Sequence, residues 1–147
     1  MTVAASSGNI LQLNNTVTNS GIDLNGFDLS LTGTAGNIDL AAGALIRTIS
    51  GTGNVFISGG TKTVTRSATS TLALATTVNV QLGNGINFGA SITTLNGTLS
   101  INSGGFVSTN PPLYGLTSTL IYNSGGAYAL SSEWTSAIAT ATVTAGR

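Results

Sequence analysis

The chain has no cysteine and no histidine, and only four of its 147 residues are Lys or Arg and four Asp or Glu. Each absence removes a class of chemistry. Without thiols or imidazoles there are no ligands for a structural zinc or an iron–sulfur cluster, no base for a Ser-His-Asp triad and no dithiol redox pair. Four positive side chains cannot displace counterions along a phosphate backbone, which excludes a nucleic-acid interface. No apolar run approaches the length of a membrane-spanning helix, so no membrane insertion is expected. Met1 to Ser7 lacks the basic start and apolar stretch of a signal peptide. The calcium nonapeptide Gly-Gly-x-Gly-x-Asp is missing too, and nothing specifies a metal or an organic cofactor.

What is present is Thr, Ser, Asn and Gly, which fill 75 positions, beside 41% hydrophobic residues. This composition, with minimal charge and ordinary apolar content, does not fit charge-driven disorder. It suits a bacterial surface protein that uses no disulfides. The expectation is an extracellular or cell-surface chain, cut from a longer exported protein or taken from a processed assembly.

Apolar and polar residues alternate with the two-residue period of a strand, as in Phe27-Asp28-Leu29-Ser30-Leu31, Asn54-Val55-Phe56-Ile57, Val78-Asn79-Val80-Gln81-Leu82 and Thr98-Leu99-Ser100-Ile101. Turn chemistry separates these runs, at Gly59-Gly60, Gly83-Asn84-Gly85 and Ser124-Gly125-Gly126 among others. No window carries a convincing helical stripe. One apolar anchor per strand (Leu11, Leu29, Val55, Val78, Leu99, Leu120) gives separations of 18, 26, 23, 21 and 21 residues. Shorter strands fall between anchors, at Gly21 to Leu24, Ile38 to Leu40, Leu45 to Ile49, Thr61 to Thr65, Ile86 to Phe88 and Ile92 to Leu95. A sandwich spaces its strands more closely, whereas a coil of about 22 residues with two or three short strands is what a parallel β-helix needs. The chain is therefore read as one all-β domain over residues 1–147, a right-handed parallel β-helix of about six coils. The hand follows from the general rule for parallel crossovers.

Residues repeat as well as rhythm. Leu24-Asn25-Gly26-Phe27-Asp28-Leu29 parallels Leu95-Asn96-Gly97-Thr98-Leu99, one residue shorter after the Gly. Leu29, Leu31, Val55, Ile57, Val78, Val80, Leu99 and Ile101 are expected inside, Gly26 and Gly97 at turns, and the Asn residues stacked at bends. Neither end shows a charged edge or an amphipathic helix, so the end coils are expected to stack on further coils or on another copy.

Residues 95–134 carry a resemblance. Leu95-Asn96-Gly97-Thr98-Leu99 leads to Ile101-Asn102-Ser103-Gly104-Gly105. Then follow Tyr114-Gly115, Ser118-Thr119-Leu120-Ile121-Tyr122-Asn123-Ser124-Gly125-Gly126, Tyr128 and Glu133-Trp134. This run resembles the β-helical repeat regions of large secreted and surface proteins of the Bacteroidetes group, exported by type IX secretion. The resemblance implies an extracellular, adhesin-like or stalk-like role without assigned catalysis.

Four aromatics, Tyr114, Tyr122, Tyr128 and Trp134, fall within 21 residues and form the candidate ligand patch, because flat rings stack on sugar faces. A surface polysaccharide is the partner this alternative implies. Asp23, Asp28, Asp39 and Glu133, with Arg47, Lys62, Arg66 and Arg147, are expected as solvated surface charge. A polysaccharide-cleaving site would need carboxylates about 5 to 10 Å apart, which the spacing does not bring together, so no catalytic residues are assigned. Thr61-x-Thr63-x-Thr65 and Thr140-x-Thr142-x-Thr144 suggest an ice-binding ladder, but few Thr-x-Thr pairs lie between them.

Overall fold

The computed structural model describes residues 2–3, 8–13, 21–34, 36–40, 45–134 and 142–145. The polar, Gly-rich clusters cut the alternating runs into strands of two to five residues, and each turn redirects the chain rather than reversing it. Every pairing is parallel, and no helix occurs among the described residues. The result is a three-sided β-solenoid.

The first side is a seven-stranded sheet of β1 (Thr2–Val3), β4 (Leu29–Leu31), β7 (Gly53–Ile57), β10 (Val78–Leu82), β13 (Thr98–Asn102), β16 (Thr119–Asn123) and β17 (Thr142–Ala145). The second side has five strands, β2 (Asn9–Gln12), β5 (Gly36–Leu40), β8 (Lys62–Arg66), β11 (Gly85–Asn87) and β14 (Phe106–Val107). The third also has five, β3 (Gly21–Asp23), β6 (Ile46–Ser50), β9 (Thr71–Leu74), β12 (Thr93–Leu95) and β15 (Leu113–Tyr114).

Register stacks like residues. Leu29, Val55, Val80, Leu99 and Leu120 form one column, and Leu31, Ile57, Leu82, Ile101 and Tyr122 a second. All eight residues expected inside are buried, because alternate side chains of a strand share one face and parallel pairing repeats that face coil after coil. From Leu29 to Leu120 the chain makes four turns, with steps of 26, 25, 19 and 21 residues. Two anchors of the sequence reading are corrected by the register. Leu11 lies on the second side, in β2, and Val78 is paired with Gly53, so Val80 is the residue in line with Val55. Among the described residues the second and third sides have five strands each, so the coils there are fewer and less even than the expected six of about 22 residues.

Both Leu-Asn-Gly segments occupy the same corner, between the third side and the first. Gly26 takes a φ of 83°, open to glycine, and Gly97 is pressed against the coil below: a Cβ there would lie 2.1 Å from the Val78 carbonyl oxygen. The expected Asn stacks are found on the flat outer face of the first sheet rather than at this bend. Asn79 Nδ2 donates to Asn54 Oδ1 (3.0 Å), Ser100 Oγ to Asn79 Oδ1 (3.0 Å), Asn102 Nδ2 to Gln81 Oε1 (3.4 Å) and Asn123 Nδ2 to Asn102 Oδ1 (3.2 Å). Asn54 closes the lower end by donating its Nδ2 to Asp28 Oδ1 (2.7 Å). A parallel sheet places equivalent residues one strand spacing apart, so an amide that both donates and accepts can bridge successive coils.

Two basic residues expected on the surface are buried instead. Lys62 is fully enclosed at the corner after the first side, where its ammonium donates to the carbonyls of Gly33 (2.6 Å), Ser58 (2.9 Å) and Gly60. These carbonyls lie where the chain turns between sheets, and the ammonium supplies the donors they need. Burial pulls the Lys62 ammonium below its ordinary pKa. Arg47 is equally enclosed, and its Nε donates to the Leu13 carbonyl (3.2 Å).

Candidate functional site

The residues singled out by sequence meet near the last described coils. Alternation in Leu120-Ile121-Tyr122 points Tyr122 inward, in line with Ile101 and Leu82. A phenol is longer than the isoleucine below it, so its hydroxyl needs a polar partner. That partner is Glu133, whose Oε1 accepts the Tyr122 hydroxyl at 2.9 Å. After β16 the chain turns at Ser124-Gly125-Gly126, with Gly125 at a φ of 72° and Ser124 Oγ donating to the Gly126 carbonyl (2.9 Å). Residues 124–134 form no strand. They bring Tyr128 against Tyr122, with ring centroids 5.0 Å apart and planes tilted by 45°. They also place Glu133 inside, where Oε1 accepts a second bond, from the Ser131 backbone N–H (2.9 Å).

Three of the four expected aromatics are thus gathered around one carboxylate. Tyr122 is 8% exposed, Tyr114 and Tyr128 are partly buried against the core, and Trp134 keeps 39% of its surface in solvent. Trp134 is accordingly the most open of the four rings. Burial above all, and the Glu133 charge after it, hold the Tyr114 and Tyr122 phenols far above their ordinary pKa. The same causes push Tyr128 up to about 12. All three phenols therefore stay protonated at neutral pH, and the Tyr122 hydroxyl donates to Glu133.

Glu133, read from sequence as surface charge, is fully buried at the centre of this cluster. Its place at the end of the Tyr114-to-Trp134 run was the available signal, because a carboxylate that closes an aromatic segment is a natural acceptor for its hydroxyls. The other acids do not join it. Asp23 is in β3 on the third side, Asp28 lies at the corner before β4, and Asp39 is in β5 on the second side. Each carboxylate engages its own surroundings: Asp23 Oδ1 accepts the Asn25 backbone N–H (3.1 Å), Asp28 holds Asn54, and Asp39 Oδ2 accepts Gln12 Nε2 (2.9 Å). Among the described residues no three acids share a possible metal site. Arg66 Nη1 donates to the Ser70 carbonyl (3.2 Å), and Arg147 lies outside the described residues.

The Thr61–Thr65 run is flanked in register by Asn37 and Asp39 below and Asn87 above, so its threonines do not continue from coil to coil. A different threonine column, Thr98, Thr119 and Thr142, runs through the first sheet. Of the second expected run, Thr140 lies outside the described residues.

Beside the cluster, the turn at Ser103 to Phe106 and the segment from Ser124 to Ser131 enclose a groove of about 590 Å³. Phe106 and Leu130 expose 41% and 65% of their surface there, and Tyr128 forms part of the wall. No helix is long and apolar enough to cross a membrane among the described residues. The chain matches no family model, and comparison with curated proteins and with solved structures gives no match in either case.

Proposed function

We propose that the chain is a non-enzymatic structural element of an extracellular or cell-surface protein: a stiff length of stalk or filament, in the manner of the adhesin-like β-helical regions it resembles. The observation that carries this reading is the first sheet, whose ladder runs in parallel from β1 to β17. Side-chain hydrogen bonds cross that sheet from Asp28 to Asn123, tying each coil to the next outside as the apolar columns do inside. Stiffness is the physical consequence, since each coil is held to its neighbours on both faces. Further coils, of the same protein or of a second copy, are the partners this role requires. Light scattering and negative-stain microscopy across a concentration series test it. Rods that lengthen with concentration support stacking, and compact particles of constant mass at every concentration count against it.

A second reading is favoured by one feature, the groove next to Tyr128. In it the chain is a carbohydrate-binding module, with Trp134 and Tyr128 stacking on a neutral polysaccharide and Tyr114 and Tyr122 supporting them. Trp134→Ala would then abolish retention on a polysaccharide column while leaving the melting temperature unchanged.

A further inference from the structure

Three Asn-Gly pairs occur in the chain, Asn25-Gly26, Asn84-Gly85 and Asn96-Gly97, each where one side of the solenoid gives way to the next. A glycine after asparagine leaves its backbone nitrogen without a Cβ to shield it, so that nitrogen can reach the side-chain amide before it. The three pairs differ in where folding puts the reacting atoms. Gly26 N–H donates to the Thr52 carbonyl (2.7 Å), which ties it to the coil above. Asn96 turns its Oδ1 toward Gly115 in the coil above, where a Cβ would lie 2.2 Å from it, and Gly97 is wedged against the Val78 and Ala75 carbonyls. Asn84 is folded back on its own glycine instead. The Gly85 N–H, at the start of β11, donates to Asn84 Oδ1 at 2.8 Å rather than to a neighbouring coil. Asn84 Cγ is one carbonyl bond beyond Oδ1, so it lies within about 4 Å of the Gly85 nitrogen, close to the separation of about 3–3.5 Å at which positioned groups react. Asn84 is also partly exposed, so water reaches it.

We propose that Asn84 is a site of spontaneous covalent modification, at which the folded chain deamidates itself. The Gly85 nitrogen gives its proton to solvent and attacks Asn84 Cγ. The N–Cγ bond forms, the Cγ–Nδ2 bond breaks, and Nδ2 takes a proton from water and leaves as ammonia. Water then opens the five-membered succinimide at either of its carbonyls, giving an aspartyl or an isoaspartyl linkage. Water is the one co-reactant, and nothing is oxidised or reduced. The isoaspartyl form carries the main chain through Cβ and lengthens the corner between β10 and β11 by one carbon. That corner belongs to the 19-residue circuit, the shortest of the four turns from Leu29 to Leu120.

The test is incubation of the full chain in mildly alkaline buffer, folded and in urea, followed by peptide mapping. Each conversion is read as the mass gain of about 1 Da that comes with exchange of an amide for an acid. In urea the three pairs should convert at similar rates, because the following glycine is then all that sets them. In the folded chain Asn84 should convert severalfold faster than Asn25 or Asn96. Asn84→Gln, whose amide carbon is one bond further from the Gly85 nitrogen, should remove the fast conversion. Protection of Asn84 by folding as strong as that of the other two would overturn the proposal. Earlier conversion of Asn25 or Asn96 in the folded chain would overturn it too, as would a fast conversion that survives in Asn84→Gln.

Discussion

Leu99 shows what one residue does in this architecture. It is fully buried, with Val80 beneath it and Leu120 above it in the column, so truncation opens a void between two coils that cannot move together independently. Leu99→Ala is expected to lower unfolding free energy by about 2–5 kcal/mol in urea titrations. Leu99→Asp should prevent folding, since nothing nearby would pair with the charge. Tyr122 makes a different demand, because its ring fills the column while its hydroxyl serves Glu133. Tyr122→Phe keeps the packing and removes one donor from a buried carboxylate, so a loss of about 1–3 kcal/mol is expected from the same measurement. If Tyr122→Phe were as stable as the wild type, the Tyr122–Glu133 bond would contribute nothing.

At the scale of the element, corners carry as much information as strands. Gly97 joins the third side to the first beneath the close approach of Val78 and Ala75, whose carbonyl oxygens would lie 2.1 and 2.6 Å from a Cβ. Gly126, in the turn after β16, has open space around it and no left-handed φ. Gly97→Ala should therefore cost about 1–3 kcal/mol and Gly126→Ala less than about 0.5 kcal/mol, a contrast that calorimetry on the two variants can read. The strands were largely legible in sequence, because inward Leu, Ile and Val alternate with Ser, Thr and Asn wherever a side is long enough. The short strands β14 and β15 were not, since two residues cannot display a period. Register was partly legible. Val78 and Val80 satisfy the same alternation, and only the ladder with Val55 shows which of them is in line. The aromatic run was legible as a cluster, but its centre was not. Arg47 and Lys62 read as surface charge because their burial depends on carbonyls of another coil, Leu13 and Gly33, and Glu133 because its burial depends on where the segment after β16 folds back onto Tyr122.

For the whole molecule, the tyrosine cluster sets an alkaline limit. Tyr128 holds its proton up to about 12 in the folded chain against an ordinary value of 10.0, and Tyr114 and Tyr122 hold theirs more firmly still. Above pH 10 the unfolded chain has released protons that the folded chain retains, so the folded state binds more of them and unfolding free energy falls as pH rises. The contribution is fully present below pH 10 and disappears progressively toward pH 12 and beyond. Melting temperature should decline steeply above pH 10, with tyrosinate absorbance appearing together with unfolding. Tyrosinate that forms while the fold persists would show that the phenols are accessible. The uneven coil steps bear on assembly of the chain itself. A solenoid of identical repeats can pair any coil with any other, and such degeneracy invites misaligned folding intermediates. Here a slip by one whole coil would lay the 25-residue circuit over the 19-residue one, and corners would fall where strands should. Perimeter length thus works as an address, giving each circuit one place in the stack.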